Sequence, residues 1–377
     1  MSDPVATSLT HIGRRAALAL PLAVALPGRA RAALSVVDAI GRQITLDRPA
    51  TRIVLGFNFE EFTAIAGSAG WDRVVGYAKT QWSINRTTAF ARYAAAIPRL
   101  NTLPDIGNQE AGNFSVETIL ALRPDVVILP EVWMAPLKEP IALIEATGVK
   151  IVLVDYNAQI PARHVASTLA MGAITDAGPR AEELAALYTA RLADIQRRVA
   201  SVGARRSAYI ELGQAGAGSV GNTYWKAMWG CLLDLIGADN IAAGKIGGGW
   251  GPMSAEAVLA ANPDTIFIAG SSWQNRPSAV LTGYGVALAT ARASLAPYAR
   301  RPGWQGLAAI RTGEVYAIEH GLCRALYDYT AMQYLAKQLY PAAFRDIDPV
   351  AELRQYHERY LPVAFDGTWM MRAADAA

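Results

Sequence analysis

The sequence predicts an α/β protein built from two open parallel-sheet, Rossmann-like lobes joined by a single long α-helix. Three observations lead there: a segment spelled twice, apolar strands alternating with helical stretches around each copy, and one 22-residue amphipathic run between the copies.

The repeat reads "SVETILALRPDVVIL" from Ser115 to Leu129 and "SAEAVLAANPDTIFI" from Ser254 to Ile268, 139 positions later. In each copy a Ser leads into a short helix that Pro-Asp stops. The following "VVIL" or "TIFI" is rich in β-branched residues and reads as a strand buried on both faces. Around the first copy lie "RIVLGF" (Arg52–Phe57) and "KIVLVDY" (Lys150–Tyr156); around the second lie "SAYIELG" (Ser207–Gly213) and "EVYAI" (Glu314–Ile318). Helical stretches at Glu61–Gly67 and Leu137–Thr147 alternate with these strands, which argues for parallel pairing.

The run from Pro179 to Ala200 opens on a proline, carries Glu182 and Glu183 near its start and ends on Arg197 and Arg198, in accord with the helix dipole. Leu184, Leu187, Tyr188, Leu192, Ile195 and Val199 return as one apolar stripe. A helix of this length spans about 33 Å, enough to cross between lobes. The expected division is an export segment at 1–32, a lobe at 33–164, a linker helix region at 165–203 and a second lobe at 204–377.

Arg14 and Arg15, the apolar stretch Ala16–Leu26, and Ala30 and Ala32 give the first 32 residues the form of an export signal. Paired arginines leave both the Sec and the twin-arginine route open. Eleven apolar residues broken by Pro21 fall short of the about 20 that span a bilayer. The chain's formal net charge is +3, and this segment, with four arginines and Asp3, accounts for all of it. A near-neutral remainder lacks the footprint of a nucleic-acid binder. With no later run of 18 apolar residues and no cysteine near the cleavage point, the expectation is a soluble, unanchored periplasmic monomer. Whether Cys231 and Cys323 pair stays open, since spacing does not fix their separation.

Ligands of open α/β sheets bind beyond the carboxyl ends of the strands. The loops there are aromatic and basic: Tyr77, Trp82 and Arg86 in "YAKTQWSINR", Trp133 after "VVILPE", Tyr224 and Trp225 in "NTYWK", and Trp250 in "GGGWG". Trp273 and Arg276 in "SSWQNR" and His320, Arg324 and Tyr327 in "EHGLCRALYDY" complete the set. Aromatic walls bury large flat ligands, and guanidinium groups hold carboxylates or catecholates without titrating. Arg276 and the pair Trp82 and Arg86 lead these candidates, because an Arg beside a Trp offers an anion contact and a ring contact together.

A bare-metal site is disfavoured, since only His164, His320 and His357 follow the export segment. An NAD- or FAD-dependent enzyme is the competing class. "GAGSVG" at Gly216–Gly221 matches G-x-G-x-x-G after a strand, but three residues intervene before its first glycine and Asp234 falls within a helical stretch. With no Ser-His-Asp or Cys-His arrangement either, the expectation is a binding protein and not an enzyme.

Several segments together resemble one family: "SVVDAIGRQITLDRPATRIV", "ETILALRPDVVIL", "MGAITDAGPRAEEL", "GEVYAI" and "AKQLYPAAFRDIDPVAELRQYHERYLPV". From about Ser35 to Val363, in this order, the chain is similar to the helical-backbone (class III) periplasmic binding proteins, receptors that hand ferric siderophores, haem or cobalamin to ABC importers. The resemblance implies an Fe(III)-siderophore or similar iron chelate as ligand, with haem or a corrinoid as the alternative, no intrinsic cofactor, and an ABC permease and its ATPase as partners. In that family one acidic residue at the top of each lobe docks on permease arginines, and the matching positions are Glu117 and Glu256. Two carboxylates on equivalent helix starts would form a two-point plug that fixes orientation on a basic surface. Trp250, six before Glu256, matches a frequent ligand-facing aromatic, whereas its counterpart Ala111 departs from the pattern.

Overall fold

Apolar β-branched runs form strands where both faces can be covered, and here they do so in two sheets. In the computed structural model, which describes residues 33–273 and 275–373, the first sheet runs Val74–Tyr77, Ile53–Leu55, Val126–Pro130, Lys150–Val154, all parallel. The second runs Met370–Arg372, Val315–Glu319, Thr265–Gly270, Ser207–Leu212, Asp239–Asn240, parallel except for its antiparallel first strand. Of the six strands named from sequence, five lie in the interior of the two sheets and the sixth, Lys150–Val154, forms one edge of the first. The edges Val74–Tyr77, Asp239–Asn240 and Met370–Arg372 were not anticipated; nor were two antiparallel strand pairs, Leu34–Val37 with Gln43–Leu46 and Asn222–Tyr224 with Trp250–Pro252. Strands of two to four residues are too short to show a period. The expected export segment lies outside the described residues.

The repeated segments fold alike in detail. Ser115 Oγ accepts from the Thr118 N–H and Ser254 Oγ from the Ala257 N–H, each at 3.1 Å, so both short helices start on the same cap. Each ends on a left-handed residue directly before the proline, Arg123 at φ 47° and Asn262 at φ 44°. The aspartate after that proline then ties down the neighbouring strand: Asp125 Oδ2 accepts from the Thr51 N–H (2.8 Å) and Oγ1 (2.9 Å), and Asp264 Oδ2 from the Ser207 N–H (2.8 Å) and Oγ (2.9 Å). Pro-Asp therefore does more than stop a helix; it fastens two parallel strands at their starts.

The long helix spans Gly178–Ala200 and buries Leu184, Tyr188, Leu192 and Ile195 along the expected stripe. Near its start Arg180 donates to the Ala64 carbonyl in the first half, and near its end Arg198 donates to both Asp346 oxygens (2.7 and 2.9 Å) in the second. The same Arg180 also donates to the Tyr360 carbonyl at 3.0 Å, so the start of the helix is tied to both halves and its end to the second. One continuous apolar cluster contains Val127 and Ile128 of the first sheet together with Phe267 and Ile318 of the second, and the helix Tyr329–Leu339 is buried in it almost all round.

A second, smaller apolar cluster around Ile266, Leu295 and Trp304 is closed by a buried ion pair. Arg301 donates to both oxygens of Glu211 at 2.7 Å, with Trp304 and Tyr298 against its guanidinium at 4.1 and 4.7 Å. The same Arg301 donates to the carbonyls of Ala217 (3.0 Å) and Ser219 (3.1 Å), so it pins the glycine-rich loop. Removing one partner strands a buried charge. Arg301→Ala is expected to lose about 3–5 kcal/mol of unfolding free energy in urea titration; a loss below about 1 kcal/mol would mean the pair does not anchor this half.

Candidate functional site

Five of the loops that follow parallel strands close a cavity of about 270 Å³. Phe57 to Glu61 follow the strand Ile53–Leu55, Gln81 to Arg86 follow Val74–Tyr77, and Gln214 follows Ser207–Leu212. Trp273, Asn275 and Arg276 follow Thr265–Gly270, while His320, Arg324 and Ala325 follow Val315–Glu319. This is the carboxyl-end rim expected for ligands of open α/β sheets.

Of the residues named from sequence, the structure brings Trp82, Arg86, Trp273, Arg276, His320 and Arg324 to this cavity. The other six stand elsewhere. Tyr77 is fully buried at a strand end, edge-on to Phe59, and donates to the Leu100 carbonyl at 2.7 Å. Trp133 is buried behind Phe57 and Phe114. Tyr224 is buried with its ring 6.0 Å from His320, a second layer to the cavity. Trp225 holds Lys226 over its ring at 4.2 Å, and Trp250, on the partner strand, is 59% exposed. Tyr327 packs on Tyr356 and His357 in the core. Sequence position after a strand fixed the rim but not which side chains face inward.

Arg86 has a different part from the free anion contact expected of it. Its guanidinium is 2.8 Å from Glu60 Oε2 in the first half and 3.5 Å from Glu319 Oε2 in the second, so it bridges the cavity floor. Burial works against its charge, but Glu60 and Glu319 hold its pKa above the ordinary value. Gly321 lets it approach, since a β-carbon there would collide with the guanidinium. Glu319 is raised above the usual carboxylate range by burial, with Arg86 and the Ser271 hydroxyl (2.9 Å) pulling the other way.

The acidic pair Glu60 and Glu61 escaped the sequence reading. Asn58, in the left-handed region at φ 60°, starts the helix Phe59–Ala66 and brings both carboxyls to the floor, where they are 5% and 4% exposed. The signal was available in "FNFEEF", two adjacent acids directly after a buried strand. Burial, with Glu60 adding to it, pushes the Glu61 carboxyl up to about 7. His320 lies well below its ordinary pKa through burial and the neighbouring Arg324 and Arg86. Its Nδ1 accepts from the Trp229 indole N–H at 3.1 Å, so the neutral ring carries its proton on Nε2.

The walls are aromatic. Trp82 stacks on Phe59 at 4.7 Å, Trp273 stands 6.3 Å from His320, and the Arg324 guanidinium lies 5.6 Å over Phe57 from across the cavity. Arg276 is exposed on its loop. Among the described residues no group of three His, Cys, Asp or Glu side chains could hold a metal ion, and Cys231 and Cys323 are both free thiols. The glycine-rich loop Gly216–Gly221 leads into the strand Asn222–Tyr224, so no helix N-terminus faces it, and its carbonyls are turned to Arg301. A pyrophosphate site needs the reverse, N–H groups and a helix start.

Glu117 and Glu256 are both exposed, in the first turns of the two capped helices. Each helix runs back antiparallel to the parallel strand after it, so its start stands level with the carboxyl-end rim.

The sequence profile of the family described as "Periplasmic binding protein" matches residues 63–320. A TroA-like periplasmic binding protein, FepB, from Veillonella parvula is 30% identical and superposes with a TM-score of 0.86, covering 90% of this chain and 100% of that one. A periplasmic haem-binding protein from Pseudomonas aeruginosa shares the fold at 23% identity and a TM-score of 0.54, covering 78% of this chain and 94% of its own. YvrC of Bacillus subtilis, an uncharacterized ABC transporter substrate-binding lipoprotein, is 23% identical over 318 residues, 83% of this chain and 87% of the relative. Among the described residues no helix is long and apolar enough to cross a membrane.

The Glu61 carboxyl gives the site a measurable signature. Between its unfolded value of 4.5 and its folded value of about 7, the folded state keeps a proton that the unfolded chain has lost, so stability from this group falls as pH rises through that window. Glu61→Gln removes the dependence. The variant's stability relative to the parent is expected to grow from pH 4.5 to 7, by on the order of 3 kcal/mol, and then to level off. Paired thermal melts across this range that show a constant difference would place Glu61 in its ordinary charged state.

Proposed function

The chain belongs to the periplasmic binding protein family, and from that premise we propose that it captures a ferric siderophore or similar compact iron chelate between its two sheets and delivers it to the permease of an ABC importer. The observation that carries this reading is the joint presence of Arg276 and Arg324 with the rings of Phe57 and Trp273 around one cavity, Trp82 being 2% exposed and packed behind them on Phe59. Cations that do not titrate suit the anionic donors of a ferric chelate, and flat rings cover its organic body. Binding, not catalysis, is the mechanism. The protein works outside the cytoplasmic membrane as a monomer that meets the permease and its ATPase.

The exposed carboxylates Glu117 and Glu256, at equivalent places on the rim, support a two-point contact with a basic permease surface. Reversing both to Lys is expected to abolish stimulation of ATPase activity in the reconstituted transporter while chelate affinity stays as in the parent; undiminished stimulation would remove them from the contact. For the cavity, titration of tryptophan fluorescence with ferric citrate should show Arg276→Ala binding at least tenfold more weakly, about 1.4 kcal/mol. Unchanged affinity would take Arg276 out of the site.

A further inference from the structure

The two walls of the cavity differ in kind. Arg276, Arg324 and the His320 ring come from the second half, whereas Asn58, Glu60, Glu61 and Glu110 come from the first. The one guanidinium on the first-half side, Arg86, is already taken by Glu60 Oε2 at 2.8 Å and faces Glu319 at 3.5 Å. What remains on that floor is a pair of acceptors. Glu60 Oε1 and Asn58 Oδ1 are buried and have no hydrogen-bond partner, in side chains of residues only 5% and 3% exposed. The Asn58 amide nitrogen is turned to Glu61 Oε2 at 3.4 Å, which leaves its oxygen as the free end.

A buried acceptor without a donor is costly, and a carboxylate oxygen more so. A second polar chain climbs the same wall, from Asn85 Nδ2 to Gln81 Oε1 (3.3 Å) and from Gln81 Nε2 to Glu110 Oε2 (3.2 Å). It ends on another carboxylate, exposed at the rim. The unpartnered side-chain atoms of this wall, Glu60 Oε1 and Asn58 Oδ1, are both acceptors.

We infer that the ligand is an amine-bearing chelate, zwitterionic in character, whose protonated nitrogen seats on Glu60 and Asn58 while its anionic end meets Arg276 and Arg324. An ammonium supplies several N–H donors at once and makes charge-assisted bonds with the carboxylate, which a neutral amide makes only weakly. A purely polyanionic chelate would leave both floor acceptors unpaired beside a carboxylate. This inference rests on the chelate reading above and adds a selectivity that the reading alone does not contain.

The test compares two ferric tris-catecholates, anionic at the metal, that differ only in whether a side-chain amine is free or acetylated, with ferric citrate as the amine-free control, each titrated into the full-length protein by fluorescence and calorimetry. The free-amine chelate is expected to bind at least tenfold tighter than the acetylated one. In Glu60→Gln that ratio should fall toward one. Should that variant fail to fold, as judged by circular dichroism, Glu110→Gln at the exposed rim should still reduce the ratio measurably. Equal affinity for both tris-catecholates, or tighter binding of ferric citrate than of the free-amine form, overturns the inference and leaves the chelate reading standing. Binding of none of the three overturns the chelate reading, and the amine preference falls with it.

Discussion

One guanidinium organises the centre of the molecule. Arg86 reaches from the first half across the cavity floor, lies against Gly321, and stands between a carboxylate of each half. A buried charge is tolerable only when it is matched, and here the match is made by residues far apart in sequence. Glu60 can be held at the floor because Arg86 is there, and Arg86 can be buried because Glu60 and Glu319 are there. Glu61, beside this pair and without a cation of its own, answers burial by holding its proton toward neutral pH. The wall that a ligand meets is fixed by this arrangement before any ligand arrives.

The sheets were legible because parallel strands are buried on both faces and so carry a continuous apolar signature. "VVIL", "TIFI" and "SAYIEL" each became an interior strand. The long helix was legible for a related reason, a stripe of one period sustained over several turns. Edge strands such as Asp239–Asn240 carry no such signature, because two residues cannot display a period. At the cavity, the sequence located the loops but not the direction of each side chain. Tyr77 and Trp82 lie five residues apart on the same excursion, yet only Trp82 lines the cavity, because Tyr77 ends a strand with its ring turned into the core. For the acids at 60 and 61 the only sequence signal is their place soon after a buried strand, since nothing local marks a carboxylate as buried.

The duplicated segments show which parts of a unit are structural. Cap serine, left-handed residue, proline and strand-fastening aspartate recur with matching geometry in both halves. The glutamate in each first turn recurs too, but it is exposed and fastens nothing on that face. A helix start tolerates several residues at that place, so packing alone does not require the same acid twice. Away from this unit the halves diverge: the position six before the glutamate is Trp250 in one and Ala111 in the other, and only the second half carries the strand pair that presents Trp250.

Because a single apolar cluster runs through both sheets and the helix between them, the halves are not separate bodies resting against each other. Prising them apart would expose that surface to water, at a cost that scales with the area uncovered. Thermal agitation alone gives such a molecule little freedom to gape and drop its cargo. Any swing of one half away from the other is opposed by the very surface that joins them.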